Sequence, residues 1–101
     1  MFLIHILLPV ADNHGRPFTD ELLQDIQGEL VEQFSGLTAH TRSPAAGVWK
    51  HGGVKQRDDI VIVEIMTTKL DGEWWHKFRQ SLEKRLEQEE IVIRAQEIRK
   101  L

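Results

Sequence analysis

Cysteine and tyrosine are absent from this 101-residue chain, proline occurs only three times, and basic residues are the minority, 13 against 16 acidic ones. The lack of cysteine excludes a disulfide framework, a thiolate metal site, a Cys nucleophile and an iron–sulfur cluster. A formal charge of −3 and a pI near 5.9 leave no concentrated basic surface. Neither nucleic acid nor an anionic membrane is therefore the expected partner. Long hydrophobic runs are missing as well. The longest apolar stretch, Phe2–Ala11, is interrupted by His5 and Pro9 and is about half the ~20 residues a bilayer-spanning helix needs. No Lys or Arg precedes it and no small-x-small cleavage pattern precedes Asp12, so it reads as a buried strand rather than a secretory leader. A cytoplasmic location is expected.

Several local chemical motifs are absent too. The histidines at 5, 14, 40, 51 and 76 form no H-x-H or H-x-x-x-H pair, which leaves a metal only a site assembled from distant residues, such as His14 with Asp12. Ser35, Ser43 and Ser81 lack the G-x-S-x-G setting of a serine hydrolase. Gly52-Gly53 lies in a hairpin rather than before a helix, so it is no phosphate loop.

What the chain does contain is 41% hydrophobic and 29% charged residues, the composition of one globular domain over 1–101. Turn signals divide it. Asp12-Asn13-His14-Gly15-Arg16-Pro17 is a loop by composition, and Thr19 is the expected N-cap of a helix with Asp20 and Glu21 in its first turn. Phe18 and Leu23 stand at staple positions. Leu22, Leu23, Ile26, Leu30 and Phe34 share one helical face, and Gly36 is placed to end that helix. Gly28 falls on the opposite face. An extended segment follows over 37–50, broken at Pro44-Ala45-Ala46-Gly47, and His51-Gly52-Gly53-Val54 reads as a hairpin turn. The returning strand is Arg57–Thr68. Asp71 is the expected N-cap of a second helix to about Gln88, whose buried stripe is Trp74, Trp75, Phe78, Leu82 and Leu86. Ile91–Ile98 supplies the last strand. Two successive strand–helix–strand units predict an α+β, ferredoxin-like βαββαβ domain: a four-stranded antiparallel sheet with two helices on one face.

The strands themselves point to a partner. Phe2, Ile4, Ile6 and Leu8 oppose Leu3, His5 and Leu7; Val61, Val63 and Ile65 oppose Ile60, Ile62, Glu64 and Met66. Both faces are apolar, whereas a sheet with one wet face alternates apolar and polar residues. Two helices cover one face, and the other is too apolar for a soluble monomer to leave open. A homodimer through the sheet faces is predicted.

The second face also carries chemistry. With strand order 4-1-3-2, His5, Glu64 and Arg94 lie mid-strand on neighbouring strands, joined by Gln96, with His40 or Arg42 from the second strand and Trp49 as a wall. Such a cluster suits a small anionic or enolisable molecule: His5 as acid/base, Glu64 orienting it, Arg94 holding the anionic group. No cofactor is required. The same residues also fit a structural role, a cross-strand ion pair beside a hydrogen-bonded core histidine that fixes subunit register. A non-catalytic ligand-binding or regulatory dimerisation module is then the alternative. Trp74-Trp75 is expected in the core and His76 in solvent; Asp58-Asp59 and Glu89-Glu90 are expected to face water.

The element order is shared by RNA-binding modules, but the central strands here offer no exposed aromatic on which a base would stack. It is also similar to the amino-acid-sensing ACT domain, whose turn before the first helix has Gly just after its Pro; here Gly15 precedes Pro17. Over essentially the whole chain, the order and the two-sided apolar strands resemble the dimeric α+β barrel superfamily, which includes cofactor-independent monooxygenases and muconolactone isomerases. Phe34-Ser35-Gly36-Leu37-Thr38, Gly47-Val48-Trp49 and Arg57 look like an F-x-G-L-T … G-x-W pattern of small bacterial proteins of unknown function. The resemblance implies a barrel pocket between two copies. In the monooxygenase branch that pocket holds an Asn, a Trp and a His, for which Trp49 and His5 are the analogues here, with Asn13 in a loop.

Overall fold

Isoleucine, valine and leucine at every second position build the middle of the sheet. In a computed structural model, β1 (Phe2–Pro9) alternates between fully buried and half-buried positions, with Ile4, Ile6 and Leu8 at 0% exposure. The remaining elements are α1 (Asp20–Phe34), β2 (Thr38–Gly47), β3 (Gln56–Thr67), α2 (Gly72–Arg85) and β4 (Ile93–Glu97). The structure describes residues 1–34, 38–47 and 56–101, with side chains for 1–34, 38 and 60–101. Every neighbouring strand pair is antiparallel, in the order β2-β3-β1-β4. The chain is thus an α+β protein with an antiparallel sheet and two helices. No described helix is long and apolar enough to cross a membrane.

One sheet face and both helices make a single core. Ile4, Ile6 and Leu8 join Val63 and Ile65 from β3, Ile26 and Leu30 from α1, and Trp75, Phe78, Leu82 and Leu86 from the second helix and its end. Each such side chain contributes about 1.5–3 kcal/mol when fully buried. Phe34, Trp74, Trp75 and Phe78 form an aromatic cluster of stacked and edge-on pairs, with Phe34 lying on Trp75 at 5.1 Å between centroids. Arg85 Nη2 on α2 meets Glu29 Oε2 on α1 at 2.7 Å.

The caps fall where the sequence places them. Thr19 Oγ1 accepts from the Leu22 N–H at 3.1 Å, and Asp71 Oδ1 accepts from the Trp74 N–H at 3.1 Å. The stop of the second helix does not. The helix that begins at Asp71 ends at Arg85 rather than near Gln88, because Glu87 takes a left-handed backbone (φ 51°). The Gln88 N–H then reaches Glu83 O at 2.9 Å and the Glu87 N–H reaches Lys84 O at 3.4 Å. Those bonds form a Schellman closure, with Glu where glycine is usual. The expected stop of α1 at Gly36, and the hairpin turn at 51–54, lie outside the described residues. β4 is shorter than Ile91–Ile98, since the Ile91 N–H donates to the Glu83 carboxylate at 2.9 Å instead of to a ladder. In β2 the break expected at Pro44 is a register shift between Arg42 and Ala45.

Two substitutions follow. Gly28 is exposed within α1, and a Cβ there meets nothing within 4 Å. Gly28→Ala is therefore expected to stabilise the protein by about 1 kcal/mol, raising the thermal midpoint by about 4–8 °C. Glu87→Gly removes a left-handed non-glycine residue and is expected to gain about 1 kcal/mol, read as a higher urea midpoint at unchanged slope.

Candidate functional site

The strand registers bring His5, Glu64 and Arg94 into one row. His5 on β1 is paired with Glu64 on β3 and with Arg94 on β4, and Glu64 is paired in turn with Thr38 on β2. Cross-strand partners share a face, so this row crosses the sheet on the side away from the helices. His5 Nε2 lies 3.0 Å from Glu64 Oε1, with side-chain exposures of 17% and 34%. Against a carboxylate oxygen that accepts, the shared hydrogen lies on His5 Nε2. That arrangement holds an imidazole in one tautomer and one orientation, as an acid/base group requires. Arg94 is exposed and makes no ion pair among the described residues.

Apolar residues flank the polar row on both sides. One register step away, Leu7 is paired with Ile62; on the other side Leu3 is paired with Met66 and with Gln96. None of the described residues on this face is buried: Leu3, Leu7, Ile60 and Ile62 are half-buried, Val92 is 43% exposed and Met66 56%. The contrast with the 0% of Ile4 and Ile6 is the contrast between a covered and an uncovered face. Gln96 is exposed beside Leu3. The backbone register sets His40 opposite Ile62 and Arg42 opposite Ile60; their side chains, those of Asp58 and Asp59, and all of Trp49 lie outside the described residues.

Next to this row is an open cleft of about 820 Å³, walled by Leu7, Pro9, Ile60 and Val92 of the uncovered face and by the loop 10–15, with Gln88 and Glu90 at its rim. Its loop is tightly closed. The Asp12 N–H bonds Arg16 O at 2.8 Å, the Gly15 N–H bonds Asp12 O at 3.0 Å, and Gly15 takes φ +79°, a conformation glycine adopts without strain. Asp12 Oδ1 accepts from the N–H groups of His14 (2.8 Å) and Arg16 (2.9 Å), while Oδ2 faces Arg16 Nε at 3.2 Å. The Asp12 carboxylate is thus engaged in closing the loop, which sets it against the His14–Asp12 metal pairing. Asn13 Nδ2 ties the loop to Glu87 O at 3.2 Å. His5, Glu64, Arg94 and Gln96 do not line this cleft; Leu7, two residues or about 7 Å along β1 from His5, connects the two regions. The sequence shows the loop but not the cleft, because residues 88–92 reach it only through the tertiary fold.

The Arg16 N–H holds the Asp12 carboxyl below its ordinary 3.8; desolvation opposes this, and the His14 N–H and the Arg16 charge reinforce it. A carboxyl lowered in the folded state stabilises above its unfolded value and loses that contribution as pH falls through the folded one. Amide exchange at His14 and Arg16 is therefore expected to accelerate relative to the core only below about pH 4. In Asp12→Asn that acid dependence disappears.

Trp75 is in the core as expected, whereas Trp74 is half-buried against it; His76 is exposed, bridged to Arg79 and Gln80, and Glu89 and Glu90 face solvent, as expected.

No family model and no curated protein sequence matches the chain. Solved structures that share its fold include phage SAM lyases. A phage SAM lyase in complex with S-methyl-5'-thioadenosine superposes with a TM-score of 0.59 at 15% identity, over 95% of this chain and 80% of that one. A phage SAM lyase in the apo state gives 0.60 at 16% identity, over 94% and 78%. At these identities the likeness is one of fold.

Proposed function

We propose that the chain is a small-molecule enzyme or binder that works as a homodimer of ferredoxin-like domains, joined through their uncovered sheet faces as in the dimeric α+β barrels. The observation that carries this reading is the His5–Glu64 pair at 3.0 Å, set mid-strand between the Leu3–Met66 and Leu7–Ile62 pairs on a face that neither helix covers. A histidine oriented by a carboxylate and flanked by apolar residues is what an acid/base group in a pocket between two copies requires. His5 is the acid/base group, Glu64 orients it, Arg94 holds an anionic substrate group, and the cleft beside Leu7 is the way in. No cofactor is needed for proton transfer of this kind. The phage SAM lyase structures support the class of reading, since that fold holds a small molecule, S-methyl-5'-thioadenosine, in one of them.

Thermal shift against S-methyl-5'-thioadenosine and a panel of small carboxylates and phosphates tests this. A true ligand at a hundred times its Kd adds about 2.7 kcal/mol, and Arg94→Ala is expected to abolish the shift given by the anionic compounds. Ligand shifts that survive both Arg94→Ala and His5→Gln place binding elsewhere. The non-catalytic alternative draws on the same contact, because a cross-strand pair at 3.0 Å also fixes register. Under it, His5→Gln leaves ligand binding intact but weakens assembly, and there is no turnover to lose.

A further inference from the structure

The cleft beside the row carries fixed charge of one sign. Among the described residues that wall it, Asp12 and Glu90 bear carboxylates and none is Lys or Arg. The Asp12 carboxylate is taken up by the His14 and Arg16 N–H groups and by the Arg16 guanidinium. Glu90 is exposed at the rim and makes no hydrogen bond or ion pair among the described residues. It also stands on the segment that leads to Arg94. The Leu7 N–H bonds Val92 O at 3.0 Å, and His5 is paired with Arg94, so this segment runs along β1 on both sides of Ile93. Glu90 and Val92 meet Leu7 and Ile60 of the uncovered face in the cleft, and Arg94 follows two residues later on that same face. Four residues apart, Arg94 and Glu90 are separated by at most about 14 Å of backbone. Between them lie Val92, 43% exposed, and half-buried Leu7. This edge of the face therefore runs from cation to apolar floor to anion.

Building on the reading that Arg94 holds the anionic group of a substrate, we infer that the substrate is a two-ended zwitterion. Its carboxylate or phosphate sits at Arg94, its apolar middle lies over Val92 and Leu7, and an ammonium at the far end is held by Glu90. The ammonium suits that end because it only donates and an ionised carboxylate only accepts. Other ligand classes fit the edge less well. A purely anionic molecule entering by the cleft is repelled by Glu90, and a wholly apolar one leaves both charges unanswered. An α-amino acid carries its two charges on one carbon and cannot reach both Arg94 and Glu90. A metal ion in place of the ammonium has no ligand set, since no group of three His, Cys, Asp or Glu among the described residues could hold one.

Calorimetric titration of the full chain with 6-aminohexanoate, hexanoate and hexanedioate tests this. The three share a carboxylate and a six-carbon chain and differ at the far end, which is cationic, neutral or anionic. Wild type is expected to bind 6-aminohexanoate at least about 10-fold more tightly than hexanoate, the weight of one charge-assisted hydrogen bond, and hexanedioate least tightly. Glu90→Gln is expected to remove the advantage of 6-aminohexanoate over hexanoate, and Glu90→Lys to make hexanedioate the preferred ligand. Arg94→Ala is expected to weaken all three. If hexanoate binds the wild type as tightly as 6-aminohexanoate, and Arg94→Ala weakens both, the cationic end is overturned while the anion-holding role of Arg94 stands. An advantage for 6-aminohexanoate that survives Glu90→Gln also overturns it, and this variant decides the matter should Glu90→Lys not fold. If none of the three binds, or if binding is indifferent to Arg94→Ala, the reading of Arg94 fails and the two-ended substrate falls with it.

Discussion

Replacing Ile6 by Ala is expected to remove about 3 kcal/mol of stability, the largest effect of any single truncation in the sheet. Ile6 is at 0% exposure in the central strand, paired with Val63 on one side and Ile93 on the other. It faces the cluster that contains Ile26, Leu30, Phe78 and Leu82. That cluster draws on β3 and both helices, so no single side chain is expected to move into the vacated space. Deleting such a group costs its transfer free energy plus the cavity it leaves, typically 2–5 kcal/mol. At about 0.05–0.15 kcal/mol per residue, a domain of this length has only roughly 5–15 kcal/mol in total. Urea denaturation at fixed protein concentration is expected to show a lower midpoint at unchanged slope. A loss under 1 kcal/mol would mean that Ile6 is not at the centre of the core.

Met66→Asp is the complementary change on the other face. Met66 is 56% exposed in the single chain, so the substitution costs that chain about 1 kcal/mol or less, chiefly in strand propensity. In a sheet-to-sheet interface, the same carboxylate would be buried without a partner. That penalty is several kcal/mol per ion, and symmetry imposes it twice. Self-association is therefore expected to weaken by more than about 1,000-fold while the fold survives, a loss of over about 4 kcal/mol in association. Ile6→Ala has the opposite signature, a less stable chain that still associates.

Much of this architecture is legible in the sequence because its signals are local. Period-two alternation places Ile4, Ile6 and Leu8 against Leu3, His5 and Leu7, and the structure buries the first set and not the second. Thr19 and Asp71 announce their helices because each short polar side chain caps a backbone N–H three residues on. The row of His5, Glu64 and Arg94 is also readable, since strand order and mid-strand position suffice to align it. What escapes is set by contacts distant in sequence. Nothing near Glu87 signals a left-handed residue, as the usual glycine is absent. Ile91 leaves the ladder because the carboxylate of Glu83, back on the preceding helix, captures its N–H. The cleft joins residues 9–15 to residues 88–92, and no motif within either segment records the other. Gly28 has no local role in the structure either: it is exposed, with open space where a Cβ would stand.

The central claim is that the uncovered sheet face belongs between two copies of this chain. Light scattering on the wild-type protein as it leaves a size-exclusion column tests it most directly. The account predicts a mass twice the 11.7 kDa of the chain, falling to a single chain in Met66→Asp. A wild-type mass of 11.7 kDa at high micromolar concentration would contradict it.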